Sequence, residues 1–191
     1  MDKPARKNFD KKVKMHLACA KKESLRPIMA CIYFKDGFAY ATDGIVLVKN
    51  RISEMSTFDE AEIQALDGKL LPADFYKDML KYDECLISDE GIECHKDDDK
   101  AFFYFADFGD SKYPNADVVL QDALNAITVP LPQIDFSFEN MQRLSKALHG
   151  IEQCVATFKG VNNPIVFYST MPDVSSVGLL MPVLILEGGK A

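Results

Sequence analysis

The residues that could carry chemistry in this sequence are concentrated at its start, where basic side chains gather. Residues 1–26 contain nine Lys and Arg against three acidic residues, a charge of +6, while the remaining 165 residues carry −13. This asymmetry argues against a protein that is basic over its whole surface, but it permits one localised surface that faces anions. Such a surface would attract a phosphate backbone electrostatically, without reading a base sequence.

The spacing of apolar residues among these lysines predicts a helix over residues 9–23. Phe9, Val13, Leu17 and Ala20 follow one another at helical intervals and make one apolar stripe. Five lysines fall on an arc of about 100° beside that stripe: Lys7, Lys11, Lys14, Lys21 and Lys22. Two interpretations stay open, a solvated basic face of an ordinary surface helix and a row of charges that meets phosphates.

Residues that would indicate an enzyme or a metal site are not arranged for either. The three histidines, at 16, 95 and 149, have no acidic partner at a useful spacing, and no nucleophile elbow, P-loop or HExxH sequence occurs. The five cysteines contain no CxxC pair and are predicted to be reduced, buried thiols. Asp97-Asp98-Asp99 is predicted to be a solvated turn. We therefore expect a non-enzymatic protein without a metal or other cofactor.

Three meanders of short strands, each with a helix before it, organise the sequence. Asp36-Gly37 separates two apolar runs within Arg26–Asn50, which is a strong hairpin signal because both turn positions tolerate positive φ. Helices are predicted near residue 10, over 73–81 and over 139–149, a period of about 63–66 residues. The further predicted strands are Glu84–Ser88, Ile92–His95, Ala101–Asp107, Ile134–Phe138, Gln153–Phe158, Pro164–Ser169 and Val177–Leu186. The interpretation is three βαβββ units; the alternative is a coincidental alternation of helices and strands.

An α+β fold follows, with antiparallel sheets that pair edge to edge and helices on one face. Two complete units are expected in residues 1–115, a proline-containing connector in 116–132, and a third unit in 133–191. No apolar run approaches the roughly 18 residues of a membrane span, and the first residues lack the apolar segment of a signal peptide. We therefore expect a cytoplasmic protein that does not contact a membrane.

Three short patterns in this organisation resemble the bacterial sliding clamp, the β subunit of the replicative DNA polymerase. Arg26-Pro27 through Ala41-Thr42-Asp43-Gly44 is similar to the family's RP…ATDG segment. Lys112-Tyr113-Pro114 with Val118-Val119 resembles its YPD…V stretch, and Leu179–Val183 resembles its MPM ending. A clamp domain in that family is two βαβββ units whose helices face DNA. The resemblance implies a clamp-like fold of about one and a half domains.

In the family these three segments converge on one apolar pocket, which binds short linear peptides from polymerases and repair proteins. The resemblance implies such a pocket at Thr42, Gly44, Leu47, Pro114, Val119, Leu179, Met181, Pro182 and Val183. Methionine would give the cleft some plasticity. The sequence departs from the family at Ile45-Val46, Asn115 and Leu184, where the family has His-Arg, Asp and Arg. The polar rim of the pocket is thus thinner.

The resemblance also implies that the basic surface faces double-stranded DNA. The implied DNA-facing residues are Lys7, Lys11, Lys14, Lys21, Lys22, Arg143 and Lys146. We expect a processivity or tethering factor for DNA replication that binds a DNA polymerase or another protein through a linear motif. The alternative is a peptide-binding adaptor or decoy that does not encircle DNA. A clamp chain has six units and this chain three, so either a homo-oligomer encircles DNA or the chain never does.

Overall fold

The computed structural model describes residues 6–130, 134–150 and 152–183. Within these ranges it contains ten strands and four α-helices. The strands are β1 Cys31–Lys35, β2 Phe38–Thr42, β3 Val46–Arg51, β4 Leu70–Pro72, β5 Glu84–Ile87, β6 Gly91–Lys96, β7 Asp99–Tyr104, β8 Cys154–Thr157, β9 Ile165–Ser169 and β10 Val177–Leu180. The helices are α1 Glu60–Ala65, α2 Ala73–Met79, α3 Ala116–Asn125 and α4 Phe138–Ala147, with 3₁₀ turns at Met15–Leu17 and Pro27–Ala30.

The predicted first meander is present as strands β1 to β3. Lys35 pairs with Phe38, so the hairpin loop is the two residues Asp36 and Gly37. Both have positive φ, 51° and 77°, as a tight turn that follows the twist of the strands requires. The hairpin prediction is confirmed.

The second unit also has the predicted order, with β4 leading into α2 and then into β5, β6 and β7. These three strands form a sheet of their own, while β4 pairs with β1 of the first meander. Tyr76 and Met79 of α2 are buried. The sequence pattern did not identify Tyr76 as a core residue. A buried tyrosine hydroxyl needs a hydrogen-bond partner, and here it donates to the Val13 carbonyl at 3.0 Å.

The third meander extends the sheet of the first one. β10 pairs antiparallel with β3, which gives the seven-stranded order β4-β1-β2-β3-β10-β9-β8. Helix α4 packs against β10 at Gly178, where an added Cβ would lie 2.6 Å from Leu148 and 2.7 Å from Leu144. The predicted strand Ile134–Phe138 is wrong: residues 134–137 belong to no strand, and α4 begins at Phe138. Among the described residues, this segment bonds the end of the chain's last strand region through the Val183 amide, which donates to the Asp135 carbonyl at 2.8 Å.

The predicted helix over residues 9–23 is wrong. The segment contains a single 3₁₀ turn, Met15–Leu17, and is otherwise irregular. Its backbone makes only local turn bonds within the segment, such as Leu17 to Lys14, and otherwise bonds distant parts of the chain. The Asp10 amide donates to the Met55 carbonyl at 2.7 Å and the Lys14 amide to the Lys146 carbonyl at 2.7 Å. Tertiary hydrogen bonds and burial outweigh local periodicity here, because helical propensity is worth only tenths of a kcal/mol per residue.

The seven-stranded sheet has helices on both faces. On the face that we call the helix face, the Met15–Leu17 turn contacts both α2 and α4, and the main core lies beneath them. On the opposite, outer face, α3 covers a smaller cluster that includes Tyr40, Leu47 and Leu179. Helix α3 occupies most of residues 116–132, which the sequence analysis predicted to be a proline-containing connector. Four of the five cysteines are buried and Cys154 is exposed. No helix among the described residues is long and apolar enough to span a bilayer.

Candidate peptide-binding cavity and cationic surface

A small apolar cavity of about 180 Å³ lies on the outer face where β2, β3, β10 and α3 meet. We call it the Met181 cavity. Seven of the nine residues implied by the resemblance line it: Thr42, Gly44, Leu47, Pro114, Val119, Leu179 and Met181. Pro182 and Val183 do not line it, although Val183 is exposed two residues after Met181. The fold thus brings together segments that are about 70 residues apart along the chain.

The turn between β2 and β3 forms the first wall, and its sequence explains its shape. The Thr42 hydroxyl accepts the Gly44 amide at 3.0 Å and donates to the Val46 carbonyl at 2.7 Å. The Asp43 carboxylate accepts the amides of Ile45 and Val46, both at 2.9 Å. Gly44 has φ of +92°, a conformation that favours glycine. Ala-Thr-Asp-Gly therefore specifies a compact turn that directs Ile45 outward.

The first turn of α3 forms the second wall. The Asn115 side chain accepts the Val118 amide and caps the helix. Asp117 then fastens the helix to the sheet, accepting hydrogen bonds from the Tyr40 hydroxyl at 2.7 Å and from Lys49 Nζ at 2.8 Å. The balance of burial, which opposes ionisation, and these donors, which favour it, leaves the pKa of Asp117 lowered. Val119, one turn from the cap, faces the cavity and remains half exposed.

The end of β10 forms the third wall. Leu179 stands opposite Leu47 in the β3–β10 ladder, so both side chains lie on the outer face. One residue past the strand, the Met181 amide donates to the Ile45 carbonyl at 2.9 Å. The Met181 side chain is 37% exposed, so a ligand can reach it. The β10 end is thereby tied to the β2–β3 turn across the cavity.

The cavity suits one or two apolar side chains better than a small-molecule ligand. Pockets for drug-sized ligands are typically about 300–1,000 Å³. Six further lining residues were not assigned to the site by sequence reasoning: Arg26, Met29, Ile45, Val46, Ala116 and Pro164. Five of them adjoin or lie within the recognised patterns, so proximity to those patterns could have found them; Pro164 comes from the start of β9 and had no such signal.

The predicted DNA-facing lysines divide into paired and unpaired groups. Lys7 Nζ contacts Asp59 at 2.6 Å and Glu62 at 2.7 Å, and these contacts raise its pKa. Lys11 contacts Asp83 at 2.6 Å. Lys21 and Lys22 are exposed and line a separate cavity of about 620 Å³ together with Glu23 and Asp74. Two of the predicted lysines, Lys7 and Lys11, are therefore paired with neighbouring acids.

A shorter row of cations crosses the helix face. Lys14, beside the Met15–Leu17 turn, bonds the Lys146 carbonyl of α4 through its backbone amide. Burial lowers the pKa of His16, and the nearby positive charges of Lys14 and of Lys77 in α2 lower it further. That pKa falls to about 4, so His16 is neutral at pH 7. Within the described part of the chain, no carboxylate pairs with Lys14, Lys77 or Lys146.

Arg143 is placed differently from these lysines. Its guanidinium contacts the Asp43 carboxylate at 2.5 Å, the Leu17 carbonyl at 2.8 Å and the Asn140 side chain at 2.8 Å. The Arg143 side chain is 23% exposed and that of Asp43 14%. The guanidinium is thus engaged within the protein, and its DNA-facing role stays a prediction.

Comparison with known proteins gives matches in structure but not in sequence. No protein-family model matches the chain, and no curated protein matches it. The DNA polymerase sliding clamp of Bacillus subtilis superposes with a TM-score of 0.62 at 14% identity, over 95% of this chain and 64% of that one. The sliding clamp of Bartonella birtlesii bound to griselimycin gives 0.59 at 14% identity, over 97% and 69%. The C. crescentus β sliding clamp gives 0.60 at 11% identity, over 97% and 67%.

These matches cover 95–97% of this chain. The chain spans about two thirds of the length of the clamps that it resembles. Similarity at this level of identity concerns the fold, and the resemblance recognised in three short sequence patterns is confirmed at that level. This chain has the fold of a bacterial DNA sliding clamp.

Proposed function

We propose that this protein is a non-enzymatic, clamp-like tethering factor for DNA replication. It binds a linear peptide of a DNA polymerase or another replication protein in the Met181 cavity, and it approaches the DNA backbone with the helix face. The observation that carries the proposal is the cavity itself, because three distant segments build it and its apolar rim stays open. Ile45, Val119 and Met181 line it and are 46%, 47% and 37% exposed.

The size and chemistry of the cavity set the kind of peptide that it accepts. Burial of one leucine or phenylalanine side chain contributes about 1.5–3 kcal/mol. Two adjacent apolar anchors therefore supply several kcal/mol, and backbone contacts along the rim add to this. After the cost of ordering a short peptide, a Kd of about 10–100 μM is expected.

Binding of a fluorescent Gln-x-x-Leu-Phe peptide tests the peptide part of the proposal. Met181→Ala removes a cavity wall and is expected to weaken binding at least about fivefold. Met171→Ala is the matched control, because Met171 is similarly exposed, at 44%, and does not line the cavity. Anisotropy titrations of the three proteins give the affinities. Equal affinities for all three, or no binding by the wild type, would refute a peptide site at this cavity.

The DNA part of the proposal depends on Lys14, Lys77 and Lys146 of the helix face. Lysines without acidic partners can exchange their counterions for phosphates, so binding to duplex DNA should be independent of sequence and weaken with salt. Each phosphate contact contributes a slope of about −0.9 to the plot of log K against log salt.

Lys146→Glu should therefore weaken duplex binding and reduce the salt slope by about one or more. Lys112→Glu makes the same change of charge at another exposed lysine, which lies beside α3 on the outer face and has no acidic partner among the described residues. It serves as the matched control, and electrophoretic or anisotropy titration at several salt concentrations gives the slopes. Identical slopes for both variants would exclude the helix face as a DNA surface.

A stand-alone adaptor or decoy is the second candidate function, favoured by the neutralisation of Lys7 and Lys11 by neighbouring acids. It predicts the same peptide binding and its loss in Met181→Ala. It differs in predicting no salt-dependent binding to duplex DNA. The two experiments together therefore distinguish a tethering factor from an adaptor.

A further inference from the structure

We propose that Arg143 of α4 is a positioning residue for the Met181 cavity and that it acts through Asp43. This rests on the proposed function, because the cavity must bind a peptide for the effect to appear as affinity. The sequence suggested that Arg143 faces DNA. The geometry gives it a different role, in which an arginine on the helix face fixes a turn that opens on the outer face.

Asp43 connects the two faces because its two carboxylate oxygens do different work. Oδ1 accepts the amides of Ile45 and Val46, which shapes the turn that lines the cavity. Oδ2 contacts Nη2 of Arg143. The carboxylate is mostly buried, so its charge and orientation depend on a partner from another element.

Arg143 is itself held in place from two further directions. Its Nε donates to the Leu17 carbonyl at 2.8 Å, at the end of the 3₁₀ turn. Its Nη1 donates to Asn140 Oδ1, one turn earlier in α4, at 2.8 Å. A planar guanidinium can satisfy three acceptors in fixed directions, which an ammonium group on a flexible stem cannot do as well. The position of the Asp43 carboxylate is thus specified by α4 and the N-terminal segment together.

The effect reaches the far wall of the cavity through Ile45. Its amide is bonded by Asp43, and its carbonyl accepts the Met181 amide at 2.9 Å. If Arg143 is removed, the buried Asp43 carboxylate gains by turning toward water, and it then releases the two amides of the turn. Gly44, Ile45 and Met181 are displaced with it. Apparent peptide affinity then equals the affinity of the intact site multiplied by the fraction of molecules in which the turn is still formed.

The test combines peptide affinity with amide exchange in the full-length protein. Arg143→Met is expected to weaken the fluorescent peptide about 10-fold and to speed hydrogen exchange at the amides of Ile45 and Val46. Arg51→Met is the matched control, because Arg51 also pairs with a carboxylate, Glu54 at 3.3 Å, and does not line the cavity. It should change affinity less than twofold.

A second background separates positioning from general destabilisation. Asp43→Asn keeps an oxygen for the two amides and removes the charge that Arg143 contacts. In that background Arg143→Met should cost less than about threefold, because its partner has already been lost. Arg143→Lys, which retains the charge but not the three-way contact, should bind between the wild type and Arg143→Met, and it replaces that variant if the methionine protein does not fold.

The outcomes are distinct. If the wild type binds peptide, either of two results overturns the positioning role. One is an equal effect of Arg143→Met in both backgrounds, and the other is unchanged hydrogen exchange at the amides of Ile45 and Val46. A loss of DNA salt slope in Arg143→Met without a change in peptide affinity also overturns it and supports the DNA-facing prediction. A wild type that binds no peptide overturns the proposed function, and the exchange measurement then decides alone whether Arg143 holds the turn.

Discussion

Substitution of Val119 by glutamine is expected to weaken peptide binding about 30-fold. Val119 lines the Met181 cavity and has 47% of its surface exposed, which a bound apolar anchor would cover. Full burial of such a side chain contributes about 1.5–3 kcal/mol, so covering half of it contributes about 1 kcal/mol. The amide of glutamine adds a desolvation cost of about 1 kcal/mol. Together these effects make binding less favourable by about 2 kcal/mol, which corresponds to about 30-fold in affinity.

The neighbouring residue offers an unusually close control. Val118 is 50% exposed on the same helix but does not line the cavity. Glutamine has a slightly better helix propensity than valine, so neither substitution should destabilise α3. Anisotropy titration with the Gln-x-x-Leu-Phe peptide gives both affinities, and thermal melting shows whether both proteins are folded. An equal loss of affinity in Val118→Gln and Val119→Gln, or a loss below threefold in Val119→Gln, would refute the assignment of this wall.

Three further predictions concern the elements that build the two surfaces. Asp117→Ala leaves the buried hydroxyl of Tyr40 without its acceptor and should lower the free energy of unfolding, measured in urea, by about 1–3 kcal/mol. A change below about 0.5 kcal/mol would contradict a stabilising role of the Tyr40–Asp117 hydrogen bond, since one lost bond costs ~1 kcal/mol. Gly44→Ala should cost about 1–2 kcal/mol in the same assay through backbone strain alone, because φ is +92° and the new Cβ would have room. The pKa of His16 is lowered to about 4 in the folded protein, so the unfolded chain takes up this proton at a higher pH and stability should fall as pH drops from about 6.5 toward 4. Between pH 7 and pH 5 the melting temperature of His16→Asn should therefore fall less than that of the wild type.

The parts of the fold that were predictable from sequence are those in which local signals and tertiary structure agree. Asp36-Gly37 adopts the turn that its residue types favour, and the helix predicted over 73–81 is present as Ala73–Met79. The Ala-Thr-Asp-Gly turn is likewise specified by its own side chains, which bond its own amides. Each of these features has hydrogen bonds or turn residues within a short stretch of sequence, which a sequence pattern can represent, although Asp43 of the second turn also contacts the distant Arg143.

The predictions that failed concern segments whose hydrogen bonds go elsewhere. Residues 9–23 have helical periodicity, but the amides of Asp10 and Lys14 donate to Met55 and Lys146. The lysines that were predicted to share one arc of that helix therefore lie on an irregular segment, which contacts α4 through the Lys14 amide. The resemblance implied that Arg143 faces DNA, and that role stays a prediction; its contact with Asp43 was not predictable, because the two residues are 100 positions apart in sequence.

The Met181 cavity depends on the pairing of β3 with β10, which joins the first and third meanders. This pairing places Leu47 opposite Leu179 and brings the β10 end within bonding distance of Ile45. Helix α4 lies close over β10 at Gly178, where an added Cβ would require Leu144 and Leu148 to shift. The same helix carries Arg143, whose guanidinium contacts Asp43 of the β2–β3 turn. A single helix thus packs against the sheet and contacts the turn that forms one wall of the cavity.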